Sequence, residues 1–333
     1  MVEVRRGSGG SSLSGHFADR LVEAIRDKSA PVCVGLDPLL ERLPLPVRSE
    51  AGLPRGERTS GETSEADEGA VRDALRTFGR GVIEAVAAHV PAVKINIAFF
   101  ERYHTAGVAV YFELVRFAQE KGLLVIGDVK RADIGHSARQ YALGQLAAYR
   151  TGAASTPDAI TINPYFGSDG VEPFLEVAQH DGRGVFVLVQ TSNPSAGQVQ
   201  GVRVEGGEPL VLHVARLVRE WACRPGMVGH CGFSAVGAVV APQDRETTAA
   251  IRREMPECIF LVPGFGAQGR GGEDVRVCFT SEGTGAIVSA SRSVIYAFDD
   301  DRYRKACGDD WRACIEQACR DFVTSVREAL CAR

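Results

Sequence analysis

Eight short apolar runs alternate with longer amphipathic stretches along this 333-residue chain, and that alternation limits the possible folds more than any other feature. VCVGLD (32–37), AVKINIAFF (92–100), LLVIGDVK (123–130) and AITINPY (159–165) are the first four runs. VFVLVQTS (185–192), VGAVVAP (236–242), IFLVPGFG (259–266) and AIVSASRSV (286–294) complete the set. Each has an aliphatic or β-branched body and a polar or glycine-containing end, the pattern of a parallel strand buried on both faces.

The intervals carry helical periodicity. Val71, Leu75, Phe78, Val82, Val86 and Val90 form one stripe, weakened by Gly79 and Gly81. Leu210, Val214, Leu217, Val218 and Trp221 form a second, and Trp311, Ile315, Phe322, Val326 and Leu330 a third. Phe17, Leu21, Val22 and Ile25 predict a helix that closes the barrel ahead of the first strand. Eight strands alternating with helices predict an α/β fold of the (β/α)8 TIM-barrel type in one domain over 16–333, with an open doubly wound sheet as the competitor. The Gly/Ser-rich residues 1–15 predict a disordered tail, and the polar stretch at about 47–69 a surface insertion.

With 45% hydrophobic and 24% charged residues, the composition is that of an ordinary globular protein. A net charge of −4 gives no basic field for a polymeric anion, so no nucleic-acid partner is expected; a small phosphorylated molecule needs only a local nest of donors. The 9 cysteines form no CxxC and share no ligand spacing with histidine, which predicts reduced core thiols and no metal site. The N-terminus lacks an apolar core of signal-peptide length and no later run could span a bilayer, so a cytoplasmic protein with no membrane partner is expected.

In barrels the chemistry sits at the C-terminal ends of the strands. Here those ends carry Asp37, Lys94 with Asn96, Asp128 with Lys130, Asn163, Thr191 with Ser192 and Asn193, Gln268, and Arg292. Strand ends are also where chains leave the core and turn polar, but recurrence at seven of the eight favours function. GDVKRADIG places Asp128 and Lys130 on one parity, with Asp133 three residues after the lysine. Carboxylates around a buried lysine keep it protonated, ready to stabilise and protonate a carbanion; the plainer reading is an ion pair plus a helix cap at Asp133. PGFGAQGRGGED, beginning at Pro263, and SASRS, carrying Ser291 and Arg292, fall in the two loops where barrels often hold phosphate. A flexible loop beside a solvated arginine is the alternative there. TSNPS offers donors suited to an imide edge, and equally spells a turn. His104 and His136 have no metal or triad partner at useful spacing.

Taken in order, GLDP, VKINIAFFE, GDVKRADIG, TINPYFGSDGVEPF, TSNPS, LVPGFGAQG and SRSVIYA resemble the orotidine 5′-phosphate decarboxylase family, and most of all its longer bacterial and protozoan-type chains. The resemblance covers roughly Val32 to Phe298. It implies a decarboxylase acting on a pyrimidine nucleotide in UMP biosynthesis without a cofactor, and a homodimer. By the same resemblance Asp37 binds the ribose, and Lys94 the sugar hydroxyls and the carboxylate network. Asp128, Lys130 and Asp133 form the charged array, with Asp133 reaching the neighbouring subunit's site. Thr191 or Ser192 addresses the pyrimidine, near Asn163, while Gln268 and Arg292 hold the phosphate. One departure is VVAPQD at the end of strand six, where a VVGAT-like end is the family pattern. Two other readings stay open: a Mg²⁺-dependent sugar-phosphate decarboxylase or synthase of the same superfamily, and a non-catalytic nucleotide-binding barrel.

Overall fold

A computed structural model describes residues 15–53, 67–148, 150–151, 154–265 and 272–331. Its eight main strands are β1 (Val32–Leu36), β2 (Ala92–Asn96), β3 (Leu124–Arg131), β4 (Ala159–Ile162), β5 (Gly184–Gln190), β6 (Val236–Val240), β7 (Phe260–Pro263) and β8 (Ala286–Ala290). All neighbours pair in parallel and β8 returns to β1, which closes the sheet into a barrel with helices between the strands. Every residue of β1, β6 and β8 is buried. The apolar runs therefore alternate poorly because both faces are covered. The barrel expectation holds, and the doubly wound alternative falls on the β1–β8 pairing.

The helix Phe17–Lys28 covers one end of the barrel. Its Phe17, Ala18 and Leu21 join Cys33, Ala92, Ile126, Ala159, Phe186 and Ile287 in one buried cluster, with the Phe17 ring edge-on to Phe186 at 5.9 Å. Gly184 is required beneath it, because an added Cβ would lie 2.1 Å from Phe17 Cδ1. A buried carboxylate ties the helix down: Asp158 accepts from Arg20 at 2.8 Å, from Arg183 at 3.1 Å and from the Val125 amide at 2.9 Å. This end lies opposite the strand C-termini, which leaves the other mouth open for chemistry.

Around the barrel, Glu68–Val86 buries the predicted stripe against His104–Glu120 and Trp311–Cys331. Gly79 and Gly81, which weaken the periodicity, are where its neighbours come closest. A Cβ at Gly79 would meet Leu114 at 2.4 Å, and one at Gly81 would meet the Trp311 ring at 2.2 Å.

Three features differ from the sequence expectation or fall beyond it. The polar insertion starts later than Val47, because Leu45–Glu50 is helical with Val47 and Arg48 buried, and Leu53 joins the core. A small antiparallel hairpin, Arg150–Thr151 with Ala154–Ser155, precedes β4 and has no apolar signature. Of the cysteines, Cys33, Cys258, Cys278, Cys314 and Cys319 are buried thiols, whereas Cys223 and Cys331 are exposed. Residues 1–14 of the proposed tail and residues 54–66 lie outside the described residues. No helix among the described residues is long and apolar enough to cross a membrane.

Candidate active site

At the C-terminal mouth, register brings three charges together. Lys94 on β2 lies beside β3, where Asn96 pairs with Asp128. Lys94 Nζ donates to Asp128 Oδ2 at 2.8 Å, and Lys130 Nζ donates to Asp128 Oδ1 at 2.5 Å. Lys94 and Asp128 are both 8% exposed, whereas the Lys130 side chain is half-exposed. Burial works against the Lys94 ammonium, but Asp37 and Asp128 outweigh it and hold its pKa above the ordinary lysine value. Burial likewise opposes the Asp128 carboxylate, and Lys94 and Lys130 outweigh it, so its pKa sits well below the carboxylate range. Lys94 and Asp128 therefore stay charged as a buried pair, and Lys130 meets the other oxygen of the same carboxylate.

Beside it opens a cavity of about 580 Å³ lined by Asp37, Lys94, Ser192, Pro263, Ser291 and Arg292, among others. Asp37 Oδ2 accepts from Ser291 Oγ at 2.7 Å, while its Oδ1 is buried with no hydrogen-bond partner among the described residues. A carboxylate in a cavity wall suits a ligand hydroxyl. Tyr296 pins this loop, donating to the Asp37 carbonyl at 3.0 Å and accepting from the Leu39 amide at 2.8 Å. Arg292 opens the short helix Arg292–Ile295 and is exposed to the cavity, with Gly264 and Ser293 also in the wall. Cations and small donors thus gather at the β7–β8 side, with the lysine–aspartate array on the β2–β3 side.

The remaining predicted residues divide. Ser192 lines the cavity, but the Thr191 hydroxyl is engaged at 2.6 Å with Asn193 and at 2.7 Å with Gln200. Asn96 accepts from the Ala98 amide at 3.2 Å and Asn163 from the Tyr165 amide at 3.0 Å, so both serve local turns in this state. Asp133 accepts from the next amide, Ile134, at 2.8 Å, ahead of the helix Gly135–Gln145. Exposed Ile134, Tyr141, Tyr165 and Phe166 lie on the same stretch of chain and the one after β4. Gln268 lies outside the described residues. At the unusual β6 end, Ala241 and Pro242 are buried, and Gln243 donates to the Thr191 carbonyl, so this departure packs against the β5 loop without removing a charge.

Three residues escaped the sequence reading. Tyr296 lay inside SRSVIYA and was not singled out there. Arg42 lines the cavity, stacks 3.9 Å over the Tyr296 ring and pairs with Asp299 at 2.7 Å; as one charge in a polar turn it gave no signal. Thr161, in the body of β4, donates to Asp128 Oδ1 at 2.9 Å. A lone threonine in a strand is ordinary β-propensity, so nothing set it apart.

A closed (β/α)8 barrel with a lysine–aspartate–lysine array and an open cavity at its C-terminal mouth defines a class, the barrel enzymes that act on small molecules. Residues 30–305 match the model of the orotidine 5′-phosphate decarboxylase / HUMPS family, and the chain belongs to that family. A Rhodopirellula baltica protein named orotidine 5′-phosphate decarboxylase is 39% identical over 306 residues, covering 91% of this chain and 96% of the relative. One of the same name from Caldicellulosiruptor saccharolyticus is 38% identical, over 85% of this chain and 90% of the relative. Among solved structures, Leishmania donovani OMP decarboxylase superposes with a TM-score of 0.66 at 25% identity, covering 96% of this chain and 100% of that one.

Proposed function

We infer that this chain decarboxylates orotidine 5′-phosphate to UMP and CO2, a step of pyrimidine biosynthesis. The observation that carries the reading is the Lys94–Asp128–Lys130 array, set at the cavity mouth of a chain 39% identical to a protein of that name.

The chemistry follows from the charges. The 5′-phosphate takes the β7–β8 side, where Arg292 supplies a guanidinium fork and the wall supplies small donors. The Asp37 carboxylate and the Lys94 ammonium, both in the cavity wall, receive the ribose hydroxyls, and Ser192 meets the pyrimidine edge. These contacts anchor the nucleotide away from the bond that breaks, so binding energy goes into orientation. The carbon–carboxylate bond then cleaves with its electron pair left on the ring carbon. Lys130 stabilises that carbanion and donates the proton that completes UMP, then recovers a proton from water. Asp128 remains anionic and holds Lys130 in place. No cofactor enters this scheme.

Asp133 makes no hydrogen bond to Lys130 among the described residues, and Ile134, Tyr141, Tyr165 and Phe166, on its own stretch of chain and the one after β4, are exposed. This supports a homodimer in which Asp133 completes the partner's site, in keeping with a cytoplasmic biosynthetic enzyme.

Loss of orotate ultraviolet absorbance on mixing substrate with purified protein, run with and without EDTA, tests the activity. Turnover that ignores EDTA supports the decarboxylase. Activity that appears only with added Mg²⁺, on a sugar phosphate, belongs to the other branch of the family.

A further inference from the structure

We propose that Thr161 is a positioning residue for the proton donor, its hydroxyl fixing both the backbone of Lys130 and one oxygen of Asp128. The proposal rests on the decarboxylase reading for its kinetic effect, and on geometry alone for its structural one.

The geometry begins with a break in the β3–β4 ladder. Register runs Ile126 to Ala159 and Gly127 to Ile160, then resumes at Arg131 with Ile162. Four steps on β3 thus match two on β4, so β3 bulges through Asp128, Val129 and Lys130. Within the bulge Lys130 has φ +44°, a left-handed conformation that a side chain other than glycine's adopts only when its surroundings require it.

Thr161 supplies that requirement. Its Oγ1 accepts from the Lys130 amide at 3.0 Å and donates to Asp128 Oδ1 at 2.9 Å. A hydroxyl does both at once; no apolar group and no carboxylate can. The residue is 1% exposed, so neither bond is replaced by water without cost. Asp128 Oδ1 is the same oxygen that Lys130 Nζ approaches to 2.5 Å. One buried hydroxyl therefore sets where the half-exposed lysine chain starts and where its carboxylate partner sits. Without it, the strained turn at Lys130 relaxes and the ammonium is free to swing into the opening.

The variants Thr161→Val, which keeps the shape, and Thr161→Ser, which keeps the hydroxyl, separate positioning from packing. Thr161→Val is expected to lower kcat by about 10- to 100-fold with KM and UMP affinity changed less than about threefold. Thr161→Ser is expected to stay within about fivefold of wild type. A second readout, independent of turnover, is hydrogen exchange at the Lys130 amide, which should speed up at least about tenfold in Thr161→Val. If Thr161→Val does not fold, Thr161→Ala takes its place. Wild-type kcat in the valine variant, an equal loss in the serine variant, or unchanged Lys130 exchange overturns the proposal. A wild-type protein that fails to turn over orotidine 5′-phosphate contradicts the functional reading instead, and the exchange measurement then decides the positioning claim alone.

Discussion

Lys130 Nζ lies 2.5 Å from Asp128 Oδ1, although only Val129 separates the two residues on one strand. On a regular strand, residues two apart are spaced about 6.8 Å along the chain. Here β3 bulges and turns left-handed at Lys130, so one strand supplies both the lysine and the anion that holds it.

The pair makes stability depend on acid. Asp128 is held below its ordinary pKa of 3.8 in the folded state, so its contribution is complete above that value and declines as pH falls below it. Denaturation of wild type and Asp128→Asn across pH checks this. The stability gap between them should narrow as pH drops from about 5 to about 2. A gap that is constant or widens in acid contradicts the assigned direction.

At the closed end, Gly184→Ala should destabilise by about 1–3 kcal/mol, because its methyl group collides with the Phe17 ring. Thermal melting measures the cost. Turnover per folded molecule should be unchanged, since the collision is on the far side of the barrel from the array.

Arg292→Ala should act on the phosphate end alone. A charged hydrogen bond is worth about 1.5–3 kcal/mol, so KM for the nucleotide should rise at least about tenfold. Steady-state kinetics on the nucleotide and on its dephosphorylated nucleoside tests the assignment. Equal losses on both substrates would place the arginine elsewhere in the mechanism.

The proposed role of Asp133 in a partner's site has a genetic test. Mixing Lys130→Ala with Asp133→Ala chains creates dimers in which one site has both groups intact if Asp133 serves the partner. Random pairing then restores about a quarter of wild-type activity, as a two-fold interface requires. No recovery on mixing two inactive variants would mean that Asp133 acts within its own chain, and full activity in Asp133→Ala alone that it has no role.

The barrel was legible because doubly buried strands write continuous apolar runs, and all eight runs became strands. The charged array was legible because Lys94, Asp128 and Lys130 interrupt those runs at their polar ends. Parity placed Asp128 and Lys130 on one face, but the bulge through which β3 carries them left no mark in the sequence. Thr161 and Tyr296 stayed hidden because a hydroxyl in a strand or an aromatic in a core leaves no local trace of its hydrogen-bond partners. Arg42 and Asp299 meet across 257 residues of chain, and such a pairing exists only once the barrel has closed.

The most direct test of the central claim measures turnover and UMP affinity on one sample of Lys130→Ala. The expected result is a folded protein whose UMP affinity stays within about fivefold of wild type while turnover of orotidine 5′-phosphate falls at least about 1,000-fold. Turnover retained near the wild-type rate would contradict the account, because the proton donor would then be some other group.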